Sequence, residues 1–196
     1  MKINFESNIF HLQNDGSLYW PLYKSIILAD LHLEKASYFA YHDITNLPPY
    51  DSLNTIDKLN IKLKGLSVEK IILLGDIFHD KDGYKRLQKA TKNKLENLCK
   101  QYEVIWMVGN HDGLYSPKHS NLCVTYNLDA ITFTHVSKQN SPYEISGHYH
   151  PKAAFKLNGR KITKPCFLIN EKKIILPAYG SYTGGMSSQD DIFKQI

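Results

Sequence analysis

Three short apolar runs, Ser25–Ala29, Lys70–Leu74 and Val104–Val108, each end in a knot of polar residues. They lack the alternation of a half-buried strand and read as strands covered on both faces. Two stretches with helical spacing lie between them. One, capped by Asp51, puts Leu53, Ile56, Leu59 and Leu63 on one face and stops at Gly65. The other, over roughly 84–100, aligns Leu87, Ala90, Leu95 and Leu98. Strand, helix, strand, helix, strand implies parallel pairing, and such a sheet collects ligands at the carboxyl ends of its strands. The residues that fall there are Asp30-Leu31-His32, Gly75-Asp76 and Gly109-Asn110-His111-Asp112.

Around this core, residues 2–12 and 18–28 read as strands joined by a turn at Asn14-Asp15-Gly16-Ser17. Residues 33–41 begin a helix, and Leu47-Pro48-Pro49-Tyr50 is a rigid loop. Beyond residue 120 the strands shorten. Ile131–Thr134 leads to His135, and Tyr143–Ser146 leads to Gly147-His148-Tyr149-His150. In an extended or tightly turned segment, side chains two residues apart point the same way, so His148 and His150 aim at one small volume. Gly147 permits a tight turn there. Asn158-Gly159 signals a hairpin between Ala154–Leu157 and Lys161–Thr163. A second hairpin joins Phe167–Ile169 to Lys173–Leu176, and the last few residues are expected to fray. No repeat or internal boundary interrupts residues 1–196, which read as one domain with a sizeable core.

A hydrophobic share of 42% with 22% charged residues is ordinary for a soluble globular chain. No apolar run nears the roughly 20 residues that span a bilayer, and Met1–Glu6 lack a signal-peptide core. Cys99, Cys123 and Cys166 are far apart, without metal-type spacing, as in reduced structural thiols. These features predict a cytoplasmic protein with no membrane association. The net charge of +5 comes almost wholly from lysine, since Arg86 and Arg160 are the only arginines. It suits a polyanionic substrate, and equally a lysine-rich background.

Oxygen and imidazole donors without thiolate suit Mn²⁺, Fe or Zn²⁺. Asp76 is the natural bridge between two ions, because a carboxylate has two oxygens. Two ions roughly 3.5–4 Å apart can clamp the attacking and leaving oxygens of a phosphoryl displacement and acidify a water. Asn110 adds a neutral carbonyl oxygen that keeps the site from repelling phosphate. His111 is a candidate proton donor whose tautomer Asp112 could fix. Singly, each piece has an ordinary explanation: Asp30 and His32 a solvated loop, Gly75-Asp76 a strand-end turn, His135 a core histidine. Their co-occurrence at successive strand ends favours a dinuclear metal site. His79 is either a supporting group of that site or a locally packed helix-start residue.

These blocks, Asp30-x-His32, Gly75-Asp76, Gly109-Asn110-His111-Asp112, His135 and Gly147-His148-x-His150, resemble the signature of the calcineurin-like metallophosphoesterases. The resemblance implies an α/β fold, the four-layer α/β/β/α sandwich. It also implies one ion held by Asp30, His32, Asp76 and His150, and another by Asp76, Asn110, His135 and His148, with His111 near the scissile phosphate. A narrower likeness, in Leu28–Lys35, Leu47–Asp51, Gly75–Asp80, Pro165–Phe167 and Leu176–Gly185, is to the PdeM group of ligase-associated DNA-damage-response endonucleases, related to the nuclease subunit of the SbcCD complex. Many of that group carry Gly where this chain has Glu34. The group implies Mn²⁺ dependence and functional association with an ATP-dependent DNA ligase and a helicase.

The leading reading is a dimetal phosphodiesterase that uses metal-activated water as an endonuclease on single-stranded or gapped DNA in repair. A small-molecule phosphoesterase, acting on a nucleotide or lipid-linked pyrophosphate, is the alternative; a binding module that lost catalysis is a third, which the intact ligand set opposes. Substrate choice falls to rim segments 33–50, 77–84, 113–121 and 179–188. These hold Lys35, Lys81 and Lys118, with Lys85 just beyond, beside several tyrosines. Lysine next to aromatic groups suits a flexible single strand. Tyr38, Tyr41, Tyr50, Tyr149 and Tyr182 are the candidates for stacking. The stretch Tyr179–Gly185 is either a substrate-facing loop or a tight structural bend.

Overall fold

The strand–helix alternation builds one half of a two-sheet sandwich in the computed structural model, which describes residues 1–113, 115–138 and 142–195. Seven strands form the first sheet in chain order: β1 (Lys2–Phe5), β2 (Asn8–Leu12), β3 (Leu18–Trp20), β4 (Ser25–Leu28), β5 (Lys70–Leu73), β6 (Glu103–Met107) and β7 (Ser120–Cys123). The first four are an antiparallel meander, and β4 through β7 run parallel. Each long strand expected at 2–12 and 18–28 is two shorter ones. Glu6 and Ser7, left-handed at φ 43° and 57°, fold the first back on itself. A turn closed by Lys24 N–H donating to Pro21 O (3.1 Å) divides the second.

Four helices follow the parallel strands: α1 (Lys35–Tyr41), α2 (Asp51–Lys64), α3 (Gly83–Arg86) and α4 (Lys89–Gln101). Ile56, Leu59 and Leu63 of α2 join Leu95 and Leu98 of α4 against Ile26, Leu28, Ile71, Leu73 and Trp106 of the sheet. Full burial of each such aliphatic chain contributes about 1.5–3 kcal/mol. The helix expected over 84–100 breaks at Leu87, whose extended backbone (ψ 125°) lets its side chain bury. Beyond the break Thr91 faces inward and Ala90 is exposed. Asp51 does not cap its own helix. Tyr50 holds that position, and Asp51 Oδ2 accepts from Ala36 N–H (3.1 Å), so it satisfies the start of α1 instead. Beside it, Ser52 Oγ accepts from Glu34 N–H (2.7 Å) and donates to Glu34 Oε1 (2.8 Å). Those bonds hold Glu34 at φ 67°, a left-handed conformation that glycine adopts without cost.

The chain continues through β8 (Thr125–Leu128), β9 (Ile131–Thr134), β10 (Glu144–Ser146), β11 (Lys152–Leu157), β12 (Arg160–Pro165), β13 (Leu168–Ile169) and β14 (Lys173–Ile175). The second sheet has the order β13-β14-β10-β9-β8, and β11–β12 is a separate hairpin closed by Asn158-Gly159 (φ 49° and 77°). Between the sheets, Ile27, Ala29, Ile72, Leu74, Ile105 and Met107 meet Ile131, Phe133, Ile145 and Ile174, with Phe10 and Trp20 at one side. Strands β4, β5 and β6 therefore feed a core on each face, which is why they read as unbroken apolar runs.

Helices, sheet and sheet are the first three layers of the expected sandwich. Among the described residues the fourth is thin, a 3-10 turn at Asp191–Lys194 in place of a frayed end. Its Phe193 lines a hollow with Ile175 and meets the ring of Tyr149 edge-on. The same outer face holds a buried ion pair, Lys173 with its register partner Glu144 (3.6 Å). Lys173 Nζ also donates to Ser137 Oγ (2.9 Å) and to the Lys138 carbonyl. No helix among the described residues is long and apolar enough to cross a membrane. The three cysteines are free, and burial, with Glu96 nearby, pushes the Cys99 thiol up to about 12.

Candidate metal centre

The five polar clusters meet at one end of the sandwich. Asp30 and His32 follow β4, Asp76 and His79 follow β5, and Asn110, His111 and Asp112 follow β6. From the second sheet come His135, after β9, and His148 and His150, after β10. Pairing between β4 and β5 persists past the strand ends: Asp30 N–H donates to Gly75 O (3.2 Å), His32 N–H to Asp76 O (2.9 Å) and His79 N–H to Leu33 O (2.9 Å). Asp30 (φ 54°), His32 (41°), Asp76 (48°), His148 (71°) and His150 (48°) all take left-handed backbone. That conformation costs a residue with a Cβ about 1–2 kcal/mol, and such strain gathers at functional sites.

Of the three motif glycines, Gly75 takes left-handed backbone at φ 88°, while Gly109 and Gly147 serve space and not rotation. A Cβ on Gly147 would stand 2.6 Å from Asp30 Oδ2, and one on Gly109 would stand 2.1 Å from Asp76 Oδ1. Each lets the backbone run directly against a site carboxylate. Segment 147–150 is tightly turned, with Tyr149 N–H donating to Gly147 O (2.9 Å).

Three groups of donors result; His32, His79 and His111 form an all-imidazole group, and two others combine imidazole with carboxylate. Asp30, His32 and His150 form one, with His150 Nε2 at 3.4 Å from Asp30 Oδ1 and 3.2 Å from His32 Nε2. Asp76, His135 and His148 form the other, with His135 Nε2 at 3.4 Å from Asp76 Oδ2, 3.2 Å from His148 Nδ1 and 2.8 Å from Asn110 Oδ1. His32 Nε2 lies 3.9 Å from Asp76 Oδ2, so Asp76 borders both mixed groups. Each group could hold a metal ion.

Three observations fit such ions. Asp30 Oδ1 is buried without a hydrogen-bond partner, while Asp30 Oδ2 accepts from His148 N–H (2.9 Å). A buried carboxylate oxygen left bare is costly unless a cation meets it. The Nδ1 of His135 contacts Leu74 O (2.8 Å), an acceptor only, so Nδ1 carries the proton and Nε2 offers its lone pair to the centre. Two of the imidazoles are also kept neutral: burial, with His150 beside it, pushes His32 down to about 2, and burial with His135 lowers His148. Against burial, His135 and the His111 N–H hold Asp76 down to about 2, and the two carboxylates raise His135 in return.

Asp112 departs from its expected role. It does not touch the His111 ring; its oxygens accept from Phe78 N–H and Gly109 N–H (both 2.9 Å), which ties the β5 loop to the β6 loop. Burial raises its pKa. The tautomer of His111 is fixed by the carbonyl of His79, which accepts from Nδ1 (2.9 Å) and leaves Nε2 4.0 Å from Asp76 Oδ2. His79 belongs to the cluster. Its Nδ1 lies 3.3 Å from His32 Nδ1, its ring stacks on His111, and burial with Lys35 pushes it down to about 4. No spacing rule links His79 to His32; only the continued pairing of the two loops does.

The rim differs from its sequence reading in detail. Lys85 pairs with Asp82 (2.6 Å), Arg86 with Asp80, and Tyr149 is buried, which removes it from the stacking candidates. Tyr41, Tyr50 and Tyr182 are exposed, and Tyr38 packs on the edge of His79. Leu114, within rim segment 113–121, lies outside the described residues. The start of the Tyr179–Gly185 stretch is structural: Tyr179 and Gly180 N–H donate to Ala29 O (2.8 Å) and Asp30 O (3.1 Å), backing the loop that carries Asp30 and His32.

The family model described as calcineurin-like phosphoesterase matches residues 23–186. The chain belongs to that family of metal-dependent hydrolases. Among solved structures it is similar to the nuclease MPE of Pseudomonas putida, with a TM-score of 0.79 and 26% identity over 95% of this chain and 90% of that one. A conserved uncharacterized protein of Streptococcus pneumoniae, a predicted phosphoesterase, matches at 15% identity over 83% of this chain and 76% of that one, with a TM-score of 0.36. Comparison with curated proteins finds no match.

Proposed function

We propose that this chain is a Mn²⁺-dependent phosphodiesterase that cuts nucleic acid, with single-stranded DNA as substrate. The observation that carries the reading is the likeness to a nuclease across nearly the whole of both chains. The donor chemistry of the centre agrees with it. Asp30, His32, Asp76 and His150 would hold one ion, and Asp76, Asn110, His135 and His148 the other. Two such ions supply charge stabilisation for a phosphoryl displacement and acidity to a water. A place in DNA repair, beside an ATP-dependent ligase and a helicase, is supported by the sequence resemblance.

The chain's own residues do the rest. His111 is half-exposed at the mouth of the site, its Nδ1–H committed to a carbonyl, so Nε2 is the nitrogen free to give or take a proton at a phosphate oxygen. His79 Nδ1 lies 3.3 Å from His32 Nδ1, where it would accept the Nδ1–H of a His32 whose Nε2 lone pair faces an ion. Asp112 holds Gly109 and Phe78 in place and thereby the carboxylate of Asp76, whose Oδ1 accepts from His111 N–H (2.8 Å).

Metal counting tests the assignment. Protein equilibrated with Mn²⁺ and freed of excess should carry two ions per chain by elemental analysis. Asp76→Ala should lose most of this, since it borders both groups, and Asp30→Ala should keep about one ion. Metal binding abolished by Asp30→Ala and intact in Asp76→Ala would refute the bridging role.

A further inference from the structure

The positive charge of this chain is concentrated in one element. Lysine and arginine number 24 against 19 acids. The hairpin β11–β12 holds Lys152, Lys156, Arg160, Lys161 and Lys164 and no acid, which leaves nineteen cations against nineteen acids elsewhere. It joins neither sheet, and every residue from Ala154 to Lys161 is exposed. Its register pairs Phe155 with Ile162, Lys156 with Lys161 and Leu157 with Arg160. One face therefore carries Phe155, Leu157 and Ile162 beside Arg160 and Lys164, and the other carries Lys152, Lys156 and Lys161. Two lysines directly opposite each other destabilise a strand pair, and Phe155 is 49% exposed. A polyanion with stacking bases relieves both defects.

The hairpin is also fastened to the site. Only Pro151 separates it from His150. Lys152 N–H donates to Met186 O (2.8 Å), its Nζ to Thr183 O (3.0 Å), and Cys166 N–H donates to Pro151 O (2.9 Å). The root of the hairpin is thus fixed beside the metal centre.

We propose that β11–β12 is a nucleic-acid-binding arm around which a single strand wraps while its scissile bond lies in the site: Arg160 and Lys164 hold phosphates on the face where Phe155 stacks on a base, and Lys156 and Lys161 hold phosphates on the other. The proposal rests on the nuclease reading above. It is tested with the variant Lys156→Ala/Arg160→Ala/Lys161→Ala, with Phe155→Ala, and with the charge-keeping Lys156→Arg/Lys161→Arg. Each is assayed in Mn²⁺ on a single-stranded oligonucleotide and on bis(p-nitrophenyl) phosphate, a diester too small to reach the hairpin.

The triple variant should raise the oligonucleotide KM about tenfold or more with kcat little changed. Its salt slope of binding should fall by about 2, since each phosphate contact contributes roughly 0.7 on a single strand. Phe155→Ala should weaken binding about fivefold or more, the arginine variant should bind like the parent, and hydrolysis of the small diester should hold. An unchanged KM and salt slope in a parent protein that cuts the oligonucleotide overturns the arm and leaves the nuclease reading standing. An equal loss on the small diester overturns it too, because the hairpin would then be propping the centre. A parent that hydrolyses the small diester yet neither binds nor cuts the oligonucleotide removes the nuclease reading and the arm together. Binding of anionic phospholipid vesicles through the same three residues, with oligonucleotide binding unmoved, would make the hairpin a membrane contact instead.

Discussion

His111 is the most exposed histidine of the centre, with 43% of its side chain accessible, and its backbone N–H rather than its ring holds Asp76. Removing the ring should therefore spare the metal ligands. His111→Ala is expected to keep both ions and lose about 10²–10⁴-fold in kcat; a loss below threefold would reduce His111 to a structural residue. A second expectation concerns acid. In metal-free protein His32 is neutral down to about 2 and His79 down to about 4, against an ordinary 6.5. Between those values the unfolded chain binds protons that the folded chain refuses, so stability falls as pH drops below about 6.5. His135, raised, acts in the opposite sense: its contribution is present at low pH and fades as pH rises through its folded value. With His148 also lowered, three depressed groups outweigh one raised group. The melting temperature in chelator should fall from pH 7 to pH 5, less steeply in His32→Asn; a flat or rising profile would contradict this. At this scale the sequence marked the residues that cluster and was silent about their supports. Asp30, Asp76 and His148 stand directly behind apolar runs, where position alone marks them. The bonds of Asp112 to Phe78 and Gly109, and of His111 to the His79 carbonyl, depend on how two loops meet, and no spacing encodes that.

Among the elements, β4, β5 and β6 were legible because a strand buried on both faces has no polar break to misread. The hairpin at Asn158-Gly159 was legible because that pair adopts left-handed backbone readily. Breaks made by tertiary packing were not. Leu87 interrupts a helical pattern to reach the core, and Asp51 leaves its own helix to serve α1. Lys173 is the clearest case. A lysine in a short edge-like strand reads as solvent-facing, yet it is 4% exposed and bonded to Ser137, Lys138 and Glu144. Lys173→Met would strand Glu144 as a buried, unpaired charge, at a cost of about 3–5 kcal/mol. Urea denaturation should show that loss with the slope unchanged. A difference under 1 kcal/mol would mean that Glu144 takes up a proton or finds water.

At the scale of the molecule, the centre is assembled across the sandwich. Asp30, His32, Asp76 and Asn110 come from one sheet, and His135, His148 and His150 from the other. The first sheet's parallel order places its carboxylates at one end, and the apolar interface of Ile27, Ile72 and Ile105 with Phe133 and Ile145 sets the second sheet's histidines opposite them. Neither sheet holds a full set of donors, so the chemistry depends on how the two pack. The central claim is that this centre cuts the internal phosphodiester bonds of single-stranded DNA with divalent metal. Closed circular single-stranded DNA tests it most directly, because a circle offers no end. Incubated with protein and Mn²⁺ and resolved on a denaturing gel, the circle should become linear and then shorter, and should stay whole in excess chelator. A circle left intact in Mn²⁺ while mononucleotides or cyclic nucleotides are hydrolysed rapidly would contradict the claim and make the protein a small-molecule phosphoesterase.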